Sequence, residues 1–189
     1  MNLPNKLTML RMALIPVFLL CMMWEFPHHY LLALIIFAGA SFTDMLDGQI
    51  ARARGLVTNF GKFMDPLADK LLVMSALVCF TQVKNLPFPA VIVVIILARE
   101  FAVTALRTLA ADGGVVIAAD KWGKIKTVSQ MVWICYTLAF LWISTDVVGY
   151  ASDVFIAIWF AGLATVVVTT IGSGINYLVK NRALFMNSK

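Results

Sequence analysis

Six apolar stretches, each about the length of a membrane crossing, follow one another along the chain with short polar breaks between them. A bilayer core is crossed by about 20 apolar residues in an α-helix. The pattern predicts helices at about Leu7–Trp24, Tyr30–Ala53, Gly61–Val83, Phe88–Leu109, Lys124–Ser144 and Ser152–Leu178. Pro16 predicts a kink in the first. The run Asn85-Leu86-Pro87-Phe88-Pro89 forces a break before the fourth. The second, third and sixth stretches exceed the minimum length and predict tilt or protrusion. The expected fold class is an all-α integral membrane protein of six transmembrane helices in a single domain, residues 1–189.

Composition supports this and excludes a soluble fold. The 189 residues are 61% hydrophobic and only 13% charged, against roughly 45–50% and about 25% in soluble domains. An apolar run behind Lys6 and Arg11 resembles a signal peptide. It ends in Trp24-Glu25-Phe26-Pro27 without a small-residue cleavage site, and so reads as a retained helix. Cys21, Cys79 and Cys135 fall in apolar segments, and their odd number and spacing favour neither disulfides nor a zinc site.

The net charge of +5 sits at helix ends and forms no single patch, which points to membrane orientation and away from nucleic acid. Lys6 and Arg11 open the chain. Arg52, Arg54 and Lys62 surround the second break, Arg107, Lys121, Lys124 and Lys126 the fourth, and Lys180, Arg182 and Lys189 close it. The alternate breaks hold Glu25, His28 and His29, then Lys84, then Asp146 and Asp153. Basic loops stay on the cytoplasmic side, so both termini are expected there. Trp24, Trp122, Trp142 and Tyr150 suit the interfacial belts, and His28 and His29 read as plain interfacial residues. The small-residue clusters Gly39-Ala40-Ser41 and Gly172-Ser173-Gly174 suit close helix packing. Asp112-Gly113-Gly114 reads as a turn.

The chemistry concentrates between Asp44 and Asp69. Asp44 and Asp47 are three apart and Asp65 and Asp69 four apart, so each pair shares a helix face. Four carboxylates at the ends of membrane helices repel one another and are costly to desolvate. Divalent cations, two of them for four acids, are the simplest compensation, and all-oxygen ligands favour Mg²⁺ or Mn²⁺. Gly48, Ala51 and Gly61 leave room for a ligand beside the acids, and Arg52 adds a cation. This set suits a phosphate ester or a diphosphate.

A second constellation is basic. Arg99 lies well inside the fourth helix, and Arg107, eight residues on, projects from nearly the same face. Lys121, Lys124 and Lys126 follow. Glu100 points about 100° away from Arg99 around the helix and is not an obvious partner for it. It is expected to bind a ligand hydroxyl or to pair with a neighbouring basic side chain. Pairing of Arg99 with an acid on another helix and simple anchoring by the lysines are the structural readings. The functional one is an anion pocket for a phosphate group.

The run Asp44-x-x-Asp47-Gly48-x-x-Ala51-Arg52-x8-Gly61-x3-Asp65-x3-Asp69 resembles, without a departure, the signature of the CDP-alcohol phosphotransferase family. The flanks Pro4–Arg11 with Pro16, Arg99-Glu100-Phe101 with Leu106-Arg107, and Gly123–Thr127 resemble those of its bacterial phosphatidylglycerophosphate synthase branch. Likeness therefore runs from about Asn5 to about Thr127, and beyond that only the apolar character is shared. The resemblance implies CDP-diacylglycerol as donor and a small alcohol as acceptor, with a phosphodiester lipid and CMP as products. It implies that Asp44, Asp47, Asp65 and Asp69 hold two divalent ions, with Asp69 also the general base. Thr8, Gly48, Ala51, Arg52 and Gly61 would contact the CDP portion, and the protein would be a homodimer in the bacterial cell membrane. Arg99, Arg107, Lys121, Lys124 and Lys126 would then receive the phosphate of sn-glycerol 3-phosphate. Inositol phosphate, serine or phosphatidylglycerol as acceptor remains open. So does, from a different class, a divalent-cation transporter using the four acids; the sparse opposite half of the chain offers such a path little.

Overall fold

The computed structural model of the chain describes residues 3–54, 59–84, 86–112 and 121–182; the side chains of residues 3–4, 44–54, 59–63, 65–66 and 112 lie outside the description. All the regular structure among the described residues is helical: α1 Leu3–Met23, α2 His29–Arg54, α3 Asn59–Phe80, α4 Ala90–Asp112, α5 Lys121–Trp142 and α6 Asp153–Lys180. One π-helical turn, Ile143–Val147, extends α5. Each predicted helix is present. The largest shift is at the start of α1, which begins four residues before the apolar run because its polar first turns face inward.

The chain divides into two compact units. The first holds residues 1–87 and 134–152, the second residues 88–133 and 153–189, so α5 contributes its first half to one and its end to the other. In the first unit α1 packs against both α2 and α3. Its buried residues are Asn5, Thr8, Arg11, Ile15, Phe18 and Cys21, spaced by three or four, which is one helix face. Phe18 meets Phe37 of α2 with ring centroids 6.1 Å apart. The α1–α2 turn is tied down at its tip. His28 adopts a left-handed backbone with φ 61°. Its N–H donates to Asp146 Oδ1 at 3.2 Å, and its ring accepts from Trp142 Nε1 at 3.1 Å. His29 Nδ1 lies 2.9 Å from the Cys21 carbonyl oxygen, which can only accept, so the ring nitrogen carries the proton. The two histidines are thus more than interfacial residues: they fasten the turn.

In the second unit α4 packs on α6. The buried side of α6 is Trp159, Leu163, Val166, Thr170, Ser173 and Tyr177, alternating steps of four and three. Trp133 of α5 stacks obliquely on Trp159 and Phe88, with centroids 5.5 and 5.3 Å away, and donates its indole N–H to the Trp159 carbonyl at 3.1 Å. Such aromatic pairs contribute about 0.5–1.5 kcal/mol beyond the area they bury.

The outer faces are apolar. Val168, Ile171, Ile175, Leu178 and Val179 of α6 are exposed while Thr170 and Ser173 are buried. In water such a contiguous patch drives association; in a bilayer it is the solvated face. Three helical stretches, Asn5–Met23, Lys121–Val147 and Asp153–Lys180, are long and apolar enough to cross a membrane. The described side chains of α2 give a shorter apolar run, His29–Thr43, and α4 carries Arg99, Glu100 and Arg107 in its body.

The small-residue clusters divide in use. Ala40 is buried, whereas Gly39 and Gly172 have nothing within 4 Å of where a Cβ would stand, so they pack against nothing described. The tightest glycine is Gly162, where a Cβ would stand 2.6 Å from Trp133 Cδ1. Gly162→Ala must displace a planar ring held by three contacts. It is expected to destabilise the fold by about 1–3 kcal/mol, read as a lower thermal unfolding midpoint of the protein in detergent, whereas Gly172→Ala should leave the midpoint unchanged or slightly raised.

Candidate functional site

The motif acids belong to the first unit. In that unit α1 packs against both α2 and α3, the two helices that carry the motif. α2 extends through Asp44, Asp47, Gly48, Ala51 and Arg52 to Arg54, and α3 carries Gly61, Asp65 and Asp69 in its first three turns. The helical spacing expected for both acid pairs therefore holds along the backbone. The side chains of Asp44, Asp47, Ala51, Arg52 and Asp65, and the surroundings of Gly48 and Gly61, lie outside the described residues. Among the described residues no three His, Cys, Asp or Glu side chains gather as metal ligands. Asp69 is described and half-buried. As a donor set, four carboxylates on two helices fit one or two hard divalent ions and no softer metal.

Thr8 is fully buried and Arg11 is 1% exposed. With Asn5 they form a polar strip at spacings of three on the inward face of α1. Asn5, Thr8, Arg11 and Asp69 all take part in hydrogen-bonding or electrostatic interactions. Arg11 was counted among the basic residues that mark the cytoplasmic side. It lies instead on the buried face of α1. Its spacing from Asn5 and Thr8 was the signal available in the sequence.

The basic residues of the second unit are arranged by neighbours that the sequence left in the background. Arg99 Nη1 donates to Glu100 Oε1 at 2.8 Å, and Lys126 Nζ donates to the same oxygen at 2.6 Å. The expectation that Glu100 points too far from Arg99 to pair with it is wrong; the alternative, pairing with neighbouring basic side chains, holds twice over. The cause is local room. A Cβ on Gly123 would stand 3.7 Å from Arg99 Nη2, and one on Gly174 3.2 Å from Arg99 Cγ. The approach at Gly123 is an ordinary van der Waals distance; at Gly174 it is tight, so glycine there leaves the arginine stem room to reach the carboxylate that Lys126 also holds. Arg99, Glu100 and Lys126 side chains are 12%, 16% and 4% exposed, shielded enough for the pairs to matter.

Arg107 has a different environment. Its Nε donates to Tyr177 Oη at 3.0 Å, and its guanidinium carbon lies 5.5 Å from the Tyr177 ring centroid. Tyr177 in turn packs with Val103 and Leu106. Lys121 and Lys124 are exposed in the first turn of α5. Lys126 is two residues beyond Lys124, about 200° around the helix, which turns it inward. The structure thus gathers Arg99 and Lys126 on Glu100, seats Arg107 on Tyr177, and leaves Lys121 and Lys124 on the surface. Tyr177 had no local sequence signal, since it acts across helices; Gly174 was read only as close helix packing and Gly123 only as part of a flank. Gln130 Nε2, Thr170 Oγ1 and Arg99 Nε are buried without a hydrogen-bond partner among the described residues.

A model of the CDP-alcohol phosphatidyltransferase family matches residues 1–171. The chain is 43% identical over 193 aligned residues, 95% of either protein, to the CDP-diacylglycerol–glycerol-3-phosphate 3-phosphatidyltransferase of Bacillus subtilis. It is 45% identical over 134 residues, 69% of this chain and 63% of the relative, to a probable phosphatidylglycerophosphate synthase of Mycobacterium tuberculosis. A third relative, from Pseudomonas fluorescens and bearing the same name as the Bacillus protein, is 39% identical over 142 residues, 74% of this chain and 73% of its own length.

Proposed function

The chain belongs to the CDP-alcohol phosphatidyltransferase family, and on that premise we propose that it transfers the phosphatidyl group of CDP-diacylglycerol to sn-glycerol 3-phosphate, giving phosphatidylglycerophosphate and CMP. The near full-length identity to a relative named for this reaction carries the reading. The family match extends across residues of both compact units, which supports treating the chain as one domain. The alternation of basic and acidic loops supports six crossings, with both termini and the acid end on the cytoplasmic side of a bacterial plasma membrane. Assembly as a homodimer follows from the family resemblance.

In this reaction the hydroxyl oxygen of the acceptor forms a bond to the phosphorus that carries the diacylglycerol, and the bond from that phosphorus to the CMP oxygen breaks. Asp44, Asp47, Asp65 and Asp69 would hold the divalent ions, Mg²⁺ or Mn²⁺, which when bound neutralise the diphosphate and the charge developing on the leaving phosphate. Asp69 takes the acceptor proton. A carboxylate in this role contributes about 10²–10⁴-fold to the rate. Arg52 and Thr8, with Gly48, Ala51 and Gly61 leaving room, bind the CDP portion. Arg99, Arg107 and Lys126 bind the acceptor phosphate, backed by Lys121 and Lys124. Several cations suit a phosphorylated acceptor; serine or inositol would not require so many. Apolar outer faces hold the acyl chains in the bilayer while the polar reaction takes place at its edge.

Purified protein with Mg²⁺ or Mn²⁺ and CDP-diacylglycerol should release CMP with glycerol 3-phosphate and far less with serine, inositol phosphate or phosphatidylglycerol. A different preferred alcohol would reassign the acceptor, and no CMP with any alcohol would refute the transferase reading. Asp69→Asn is expected to lower turnover by about 10²-fold or more while donor binding, followed by equilibrium dialysis, is largely kept; Asp47→Asn should raise the metal concentration needed and lower activity together. Arg107→Ala should raise KM for glycerol 3-phosphate by about tenfold, the loss of one charge-assisted bond, and leave KM for CDP-diacylglycerol nearly unchanged. Equal effects on the two would remove Arg107 from the acceptor site.

A further inference from the structure

One carboxylate oxygen, Glu100 Oε1, accepts from Arg99 at 2.8 Å and from Lys126 at 2.6 Å. The two donors come from different helices, α4 and α5, and all three side chains are largely buried. Two cations brought together away from water repel strongly, and a buried ammonium without a counterion tends to give up its proton. A single acid between them removes both problems. Because both bonds end on one oxygen, the two nitrogens are held within roughly 5 Å of each other, a separation that two oxygens of one phosphate can bridge. The Nε of Arg99 is buried without a partner among the described residues, so Glu100 uses only part of the guanidinium's capacity. Gly174 leaves space beside the arginine stem, since a Cβ there would stand 3.2 Å from Arg99 Cγ.

Charge count gives the carboxylate a second consequence. Arg99, Lys126 and Arg107 carry three positive charges, and Glu100 reduces them to two. A phosphate monoester carries about −1.5 to −2 at neutral pH, so the set matches a monoester better than a diester.

Resting on the acceptor assignment above, we infer that Glu100 is a positioning residue for the acceptor. It presents Arg99 and Lys126 as a preassembled two-cation clamp for a phosphate monoester, and it does so without touching the reacting atoms. The opposite role is a competitor that the incoming phosphate must displace. The two differ in sign. If Glu100 positions the clamp, neutralising it loosens both cations and weakens acceptor binding. If it competes, neutralising it strengthens acceptor binding.

The test is steady-state kinetics on full-length wild type, Glu100→Gln and Glu100→Asp, varying each substrate in turn and following CMP. Glu100→Gln is expected to raise KM for glycerol 3-phosphate about tenfold or more. Glu100→Asp, which keeps the charge on a shorter stem, should give a smaller rise. KM for CDP-diacylglycerol should stay within about twofold in both. The effect of Glu100→Gln should be less than additive with that of Lys126→Gln, because one acts through the other. A lower KM for glycerol 3-phosphate in Glu100→Gln would overturn the clamp in favour of competition. A fall in kcat and unfolding midpoint with both KM values unchanged would reduce Glu100 to a structural ion pair. If Glu100→Gln does not fold, Glu100→Asp and Lys126→Gln decide, and unchanged KM for glycerol 3-phosphate in both overturns the clamp. A wild type that releases CMP with another alcohol but not with glycerol 3-phosphate would refute the acceptor assignment itself, an outcome separate from any effect of Glu100.

Discussion

Charge placed inside an apolar bundle has to be answered within that bundle. The cost of burying an unpaired ion is several kcal/mol even after relaxation, and lipid offers no water to reduce it. In the second unit Glu100 meets that constraint for Arg99 and Lys126 together, while the exposed Arg107 rests on Tyr177 through a hydroxyl and a ring face. In the first unit the inward strip Asn5, Thr8 and Arg11 is also engaged in polar interactions. The outer faces carry valine, isoleucine and phenylalanine. Relative to a soluble protein the outer surface is inverted: it is apolar, while the apolar interior holds a few polar groups.

That inversion gives polar residues an unusual diagnostic value. On a soluble helix, threonine, serine and arginine are ordinary surface residues. Here Thr170 and Ser173 are buried while their neighbours Ile171 and Gly172 are exposed. Glycine also changes meaning. Gly172 opens onto empty space, whereas Gly174, one half-turn on, sets the path of Arg99, and Gly162 admits the edge of Trp133. Small residues in such helices are usually explained by close approach of backbones. Two of these three instead accommodate a large side chain whose position matters.

The fold was largely legible in the sequence because its signal is local. Apolar run length and the proline-rich break before α4 are read residue by residue, and every predicted helix is found within a few residues of its place. The acid motif is legible for the same reason: spacings of three and four along one helix need no tertiary knowledge. Legibility fell where contacts cross helices. Glu100 was set aside as a partner for Arg99 on helical projection alone, because projection ignores the length of an arginine side chain and the space that Gly174 provides. Tyr177 is 70 residues from Arg107, and no pattern in either segment announces the other. Arg11 was read by the rule for charges at helix ends, which takes no account of the face on which it falls; three residues from Thr8 and six from Asn5, it lies on the buried side.

On the proposed reading, the division between what was legible and what was not follows the division of labour in the reaction. The carboxylates proposed to hold the diphosphate and accept a proton stand at fixed intervals on two helices, within a motif of 26 residues. The proposed choice of alcohol would depend instead on how α4, α5 and α6 bring Arg99, Arg107 and Lys126 to their partners. A change at Glu100, Gly174 or Tyr177 would alter the cation geometry without touching any motif residue. The donor chemistry can therefore stay constant while the acceptor changes, and the residues that decide between acceptors are to be sought among those that hold the cations as much as among the cations themselves.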